Sequence, residues 1–259
     1  MRSMVTPDTR ILTLQNGIDS VSMIAKELPQ AQVRGGVIYV SAVIDKPGVI
    51  KSPGGFHRIV ADRANGDPVI WLSGNHLGAM PLLDLAAADP DTIVLQADAH
   101  LDIHAFGDSV ETLSHGNYLR RLRWKPDATP RLVHLGHRDL LHKPEDIEPF
   151  IPHAIPAEEI AADLGGTRGK VAALVADYDK VVIDIDVDVF DEGALPGSSR
   201  PVPCGLTPLQ LWHVIKGIDP ARVQALCISE YDPGRDDRDR GLAALAWLLE
   251  RFLLWKTGG

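Results

Sequence analysis

Short apolar runs and stretches of helical spacing alternate along most of this chain. Residues 69–72, 93–97, 131–135, 153–155, 180–187 and 223–229 read as strands. Most are apolar at consecutive positions rather than at every second one, the pattern of parallel strands covered on both faces. Between them, residues 77–88, a segment from Pro156, and residues 169–176, 207–216 and 240–255 have helical spacing. Asp89-Pro90 stops the first of these helices, and Thr207 caps the fourth. Residues 114–122 predict one more, opened by Ser114-His115-Gly116. The N-terminal part is less regular. Residues 10–14 predict a strand, 18–28 a helix and 37–43 a strand, while 47–57 is rich in Gly, Pro and Lys and reads as a loop. Residues 193–205 form a longer Pro/Gly/Ser loop. No linker or repeat breaks the order, so residues 1–259 are expected to form a single domain. The expected fold class is α/β, a three-layer α/β/α sandwich with a mostly parallel central sheet.

Polar residues cluster just after the strands. The run 94–97 leads into Asp98, His100 and Asp102. In extended chain, residues two apart share a face, so two carboxylates and an imidazole are expected to converge. The run 181–191 carries Asp184, Asp186, Asp188 and Asp191. Several carboxylates on one strand face repel each other unless a cation sits among them. Oxygen and nitrogen donors of this kind suit Mn, Zn, Fe or Ni. Taken singly, each acid also reads as a cap or a solvated surface group; their joint spacing favours a site for two metal ions.

Composition narrows the function classes. The chain has 259 residues, 45% of them hydrophobic and 24% charged, and a net charge of -9. An acidic balance argues against nucleic acid or an anionic membrane as partner. Two cysteines, Cys204 and Cys227, exclude a disulfide framework and read as buried thiols. No long apolar run or signal-peptide pattern is present, and the protein is expected to be cytoplasmic.

Several motifs occur in order from about residue 69 to the C-terminus. They are Gly74-Asn75-His76, Asp98-Ala99-His100-Leu101-Asp102, Ser114-His115-Gly116, Asp186-Val187-Asp188-Val189-Phe190-Asp191, Pro196-Gly197, Gly205-Leu206-Thr207 and Glu230-Tyr231-Asp232-Pro233. Together they resemble the arginase/agmatinase (ureohydrolase) family. The resemblance implies an arginase-like metallohydrolase with two Mn2+ ions per chain, held by His76, Asp98, His100, Asp102, Asp186 and Asp188. It implies a catalytic set of His115, Glu230 and Asp102. Glu230 would pair with the substrate guanidinium, and His115 would shuttle protons or assist the leaving amine. Guanidinium is a poor electrophile, and two divalent ions provide an activated water near neutral pH. Asp191 and Asn75 would orient the ligands from behind. Family members usually form homo-oligomers.

The departures from the family bear on the substrate. Asn75 stands where the family has Asp, and Asp184 where it usually has a small residue such as Ser. At the positions with which true arginases hold free arginine, this chain has His104, Glu111 and, near the third, Leu141. The guanidinium end is retained and the amino-acid end is not. The expected reaction is hydrolysis of an arginine side chain to ornithine and urea, within a peptide rather than on free arginine. The alternatives are an agmatinase-like hydrolysis of a small guanidino-amine and a formimidoyl or acyl-amine hydrolysis. From another class, an inactive metal-binding scaffold is the remaining alternative.

Overall fold

The computed structural model describes residues 10–13, 20–29, 31–35, 37–40, 43–46, 49–51, 57–60, 68–105, 113–122, 124, 129–138 and 142–258. The chain divides into two compact units, Met1–Asn65 and Gly66–Gly259.

In the first unit, β1 (Arg10–Thr13), α1 (Ser20–Glu27) and β2 (Gln32–Gly35) form a β-α-β step whose strands pair in parallel. β3 (Val37–Val40), β4 (Val43–Lys46), β5 (Val49–Lys51) and β6 (His57–Val60) follow. β3 pairs with β6 and β4 with β5, both antiparallel. The strand expected over 37–43 is therefore divided, and Val49–Lys51, expected in a loop, is a strand. Val43, Ile44, Val49 and Ile50 are β-branched, and that propensity outweighs the neighbouring Gly and Pro.

The second unit contains β7 (Val69–Leu72), α2 (Met80–Ala88), β8 (Thr92–Ala97), β9 (Leu132–Leu135), α3 (Pro144–Ile147) and β10 (His153–Ile155). It continues with α4 (Ala157–Ala162), α5 (Leu164–Val175), β11 (Lys180–Asp186), α6 (Pro208–Ile215), β12 (Val223–Ser229) and α7 (Arg240–Thr257). Its strands form one sheet in the order β10-β9-β8-β11-β12-β7, with every pair parallel. The α/β expectation holds, with an all-parallel sheet in this unit. Thr207 caps α6 as expected, through a reciprocal box with Gln210.

Alternate residues of the central strands face different surroundings. Ile93, Leu95 and Ala97 of β8 and Val181, Ile183 and Ile185 of β11 join one apolar cluster. It takes in Ile160 of α4, Val171 and Val175 of α5, Leu211 of α6 and Phe252 of α7. Each aliphatic side chain buried this way contributes about 1.5–3 kcal/mol. On the alternate positions Val94 and Val182 are also buried and apolar, but toward the carboxyl ends Gln96, Asp184 and Asp186 are equally buried and polar. One face of the sheet is thus hydrocarbon core, and the other carries a row of buried polar groups. α2 packs on β8 outside that cluster, burying Leu83 and Ala86.

The helix expected over 114–122 is only a 3-10 turn, Tyr118–Arg121. Its neighbouring backbone groups are used elsewhere: Gly116 O accepts from His104 N–H at 2.8 Å, and Leu119 N–H donates to Asp102 O at 3.3 Å. This segment holds the 102–104 loop instead of closing its own helical turns. Among the described residues, no helix is long and apolar enough to cross a membrane.

β8 and β11 are neighbours from which the chain proceeds in opposite directions, to β9 and β10 on one side and to β12 on the other. In open α/β sheets, the crevice outside the carboxyl ends of such a strand pair is where ligands bind.

Candidate metal centre

Four adjacent strands deliver polar groups from their carboxyl ends. Asp184 and Asp186 lie in β11, two residues apart on one face. Asp188 follows in a 3-10 turn, Val187–Val189, in which its N–H donates to Asp186 Oδ1 at 2.9 Å. After β8 the strand alternation ends. Asp98 Oδ1 accepts from His100 N–H at 2.7 Å, and Asp102 has a left-handed backbone, φ 49°. The expectation that Asp98, His100 and Asp102 share a strand face is thus corrected: a turn brings Asp102 to the site. His76 begins a 3-10 turn after β7, and Glu230 directly follows β12 with φ 63°. Asn75, expected behind the ligands, instead caps the His76 turn, accepting from Gly78 N–H at 3.2 Å. Asp191 Oδ1 likewise accepts from Gly193 N–H at 3.0 Å and shapes its own turn.

The structure brings all six expected ligands together. His76 Nδ1 lies 3.1 Å from Asp98 Oδ2, 3.1 Å from Asp186 Oδ2 and 3.4 Å from Asp102 Oδ2. His100 Nδ1 lies 2.8 Å from Asp188 Oδ2 and 3.7 Å from Asp98 Oδ1. Donor atoms of His76, Asp98 and Asp186 fall within 4.8 Å of one another, and so do those of Asp98, His100 and Asp188. Asp98 belongs to both groups and turns one oxygen toward each histidine.

The second ring nitrogen of His76 faces away from these acids. His76 Nε2 lies 2.9 Å from Asp184 Oδ2 and 2.9 Å from Tyr118 OH. Gln96 Nε2 donates to Asp184 Oδ2 at 3.1 Å and also to the Tyr118 hydroxyl. An ionised Asp184 can only accept, which assigns the proton to Nε2. Nδ1 then presents a lone pair to Asp98 and Asp186. His76 Nδ1 and Asp98 Oδ2 are both buried without a hydrogen-bond partner. A lone pair facing carboxylate oxygens is stable only with a cation between them. The donor set of carboxylates and imidazoles therefore fits a pair of divalent ions, and it suits Mn, Zn, Fe or Ni alike.

The electrostatics carry the same strain. Burial and the charge of Asp98 raise Asp102 to about 7. Burial, Asp188 and Asp98 push Asp186 well up, and burial and Asp98 raise Asp188. Burial also opposes charge on Asp98, but the adjacent His100 and His76 rings outweigh it and hold that carboxyl below its ordinary range. Hydrogen bonds to Asp188 and Asp98 raise His100 to about 11. Burial disfavours a charged His76, yet Tyr118, Asp184 and Asp102 together raise it well above its usual value. Acids and imidazoles crowded this way compete for protons that a metal ion would displace.

An open cavity with about 460 Å³ of atom-free space lies over these groups. His76, His100, Asp102, Asp186 and Asp188 reach it, and Glu230, His115, His104, Ser199 and Arg200 also line it. Glu230 Oε1 accepts from His76 N–H at 2.8 Å, and Ser199 Oγ donates to Oε2 at 3.4 Å. Arg235 pairs with Asp232 at 3.3 Å and not with Glu230. His115 is exposed at the cavity wall, and partial desolvation and the Arg200 charge lower its pKa. His104 Nδ1 lies 2.9 Å from His142 Nε2, the two rings stacked. Glu111 and Leu141 lie outside the described residues. Cys227 is buried, but Cys204, expected to be buried, is exposed.

Sequence reasoning missed several supports. Gln96 and Tyr118 were hidden in an apolar run and a presumed helix. Arg138 Nη2 donates to Asp188 O at 2.7 Å and Nη1 to Val189 O at 3.1 Å, fixing the turn that carries Asp188. His134 Nε2 lies 2.9 Å from His100 O. The signal for Arg200 was its place beside Pro196-Gly197, as a single basic residue in a loop of Gly, Pro and Ser.

The arginase family model matches residues 35–254. The chain belongs to the arginase family. A second family model, ketopantoate reductase PanE/ApbA, matches residues 1–65. A formimidoylglutamase of Halobacterium salinarum is 28% identical over 193 residues, covering 72% of this chain and 61% of that protein. A guanidinopropionase of Pseudomonas aeruginosa is 30% identical over 177 residues, covering 63% and 52%. This arginase-family chain thus spans between half and two thirds of those relatives' length. An Entamoeba histolytica arginase, solved in complex with L-ornithine, superposes with a TM-score of 0.65 at 15% identity. It covers 97% of this chain and 99% of its own, and it shares the fold.

Proposed function

We propose that this chain is a metal-dependent hydrolase that cleaves the C–N bond of a guanidinium group, releasing urea and an amine. One observation carries this reading: two donor groups meet at Asp98, and Glu230 and His115 line the cavity above them. His76, Asp98, Asp102 and Asp186 would hold one ion, and Asp98, His100 and Asp188 the other, with Mn2+ as the proposed metal. When bound, such a pair supplies an activated water and Lewis acidity. All of these residues lie in the Gly66–Gly259 unit.

The remaining work falls to the side chains. Glu230 has one oxygen tied to His76 N–H, which aims the carboxylate. Its charge suits the planar fork of a guanidinium. His115, whose proton affinity partial desolvation and Arg200 lower, is able to accept a proton and return it to the departing nitrogen. In the balance, one water is consumed. Its oxygen becomes the carbonyl oxygen of urea, the bond from the central carbon to the substituted nitrogen breaks, and both water hydrogens end on the products.

Hydrolysis at this bond would turn an arginine side chain into ornithine and a smaller guanidino compound into the corresponding amine. A formimidoyl substrate is the second reading, favoured by the formimidoylglutamase relative, because it presents the same C–N bond on an amidine carbon. Purified protein loaded with Mn2+ should bind about two ions per chain and release urea from guanidino compounds. Absence of metal uptake, or formamide release from formimidoyl compounds with no urea from guanidino compounds, would overturn the first reading.

A further inference from the structure

The cavity that contains Glu230 and His115 also contains Arg200. The loop carrying Arg200 is fastened to the turn carrying Glu230. Arg200 N–H donates to Ser198 Oγ at 3.1 Å. Ser198 forms a β-bridge with Tyr231, and Asp232 N–H donates to Gly197 O at 2.7 Å. Ser199, next in the chain, donates to Glu230 itself. The backbone that carries the basic side chain is therefore tied to the turn that carries the acid that would grip a guanidinium. Among the described residues, Arg200 takes part in no ion pair, although Arg222, Arg235 and Arg238 each find an acid. Its charge instead reaches into the site, where it acts on His115.

A fixed cation is out of place in a cavity built to admit a cation. It weakens binding of a substrate that is positive at both ends. It strengthens binding of one whose far end is negative, because a guanidinium group offers a carboxylate two parallel donors. We propose that Arg200 is the specificity residue for the far end of the substrate, taking the carboxylate of an ω-guanidino or ω-amidino carboxylic acid and disfavouring guanidino-amines. This deepens the hydrolase reading above and rests on it. An arginine inside a peptide has no charge at that point and represents the neutral case. Arg200 is exposed at the cavity mouth, so its replacement leaves the buried core untouched.

The test compares 4-guanidinobutyrate, butylguanidine, agmatine and a blocked arginine amide on Mn-loaded wild-type, Arg200→Met and Arg200→Glu proteins. In the wild type, kcat/KM for guanidinobutyrate should exceed that for butylguanidine by about tenfold or more, which is about 1.4 kcal/mol, with agmatine lowest. Arg200→Met should bring that ratio within about threefold of one, mainly through KM, and Arg200→Glu should rank agmatine above guanidinobutyrate. Ratios taken within each protein cancel any change in His115. A wild-type ratio near one, a preference for the blocked arginine amide, or a ratio unmoved in Arg200→Met overturns the proposal. Calorimetric titration of the same compounds separates the two readings. Carboxylate-preferring, Arg200-dependent binding without turnover keeps the subsite and overturns the hydrolase. Binding indifferent to the carboxylate, or no binding, overturns the subsite.

Discussion

Asp184 Oδ2 lies 2.9 Å from His76 Nε2, on the side of the ring opposite the metal-facing nitrogen. The carboxylate fixes both the ring's orientation and its tautomer; Gln96 holds the carboxylate, and the Tyr118 hydroxyl meets the same ring nitrogen. A buried acid behind a ligating imidazole also raises its basicity toward a metal ion. Asp184→Asn keeps the shape and removes the charge. It should weaken Mn2+ binding by about 10- to 100-fold, read as free Mn2+ by electron paramagnetic resonance during titration. An unchanged dissociation constant would refute this role.

Asp98 stands in both donor groups, whereas His100 stands in one. Asp98→Ala should therefore lose both ions, and His100→Ala should retain close to one. The metal-to-protein ratio after dialysis, measured by plasma emission spectrometry, distinguishes them. Two ions retained by Asp98→Ala would rule out a shared ligand.

Glu230 has two tasks, one toward His76 N–H and one toward the cavity. Glu230→Gln keeps an acceptor for the first and removes the charge needed for the second. Metal content should stay unchanged while KM for a guanidino substrate rises by about 100-fold, the scale of a lost charge-assisted pair. Steady-state kinetics beside a metal assay decides it. A loss of metal would move Glu230 from substrate binding to the support of His76.

His134 is fully buried, and burial lowers its pKa from 6.5 to about 4. Its Nε2 is used on His100 O, and its Nδ1 has no hydrogen-bond partner, so a proton there would be stranded. The unfolded chain takes up that proton near pH 6.5, while the folded chain resists it until about pH 4. The stabilising effect of a neutral His134 is thus complete above pH 6.5 and lost as pH falls toward 4, on the order of 3 kcal/mol. Urea unfolding at pH 7 and pH 4.5 should show a smaller acid loss for His134→Gln than for the wild type. Equal losses would mean that His134 does not couple to folding.

Much of this was legible from residue order. β12 has the bounds that its apolar run suggested, because all but one of its residues are buried. Asp184 and Asp186 share a face because β11 runs unbroken through both. Asp102 reaches the others by a left-handed turn, which period-two spacing does not encode. The 114–122 segment carried helical signals, but its backbone groups serve the distant 102–104 loop, and tertiary demand overrode local preference. Gln96 and Tyr118 were illegible for a related reason. Each gains its role from a partner far along the chain, and no local periodicity marks it.

His76 holds two positions at once: its ring faces the acids, and its backbone N–H faces Glu230. Whatever sharpens one contact is felt by the other, and thermodynamic linkage makes such influence mutual. If cation loading tightens the grip on a guanidinium by some factor, the guanidinium must slow the escape of cations or speed their capture by that same factor. A cell short of the metal would then keep its loaded molecules longest wherever substrate is abundant.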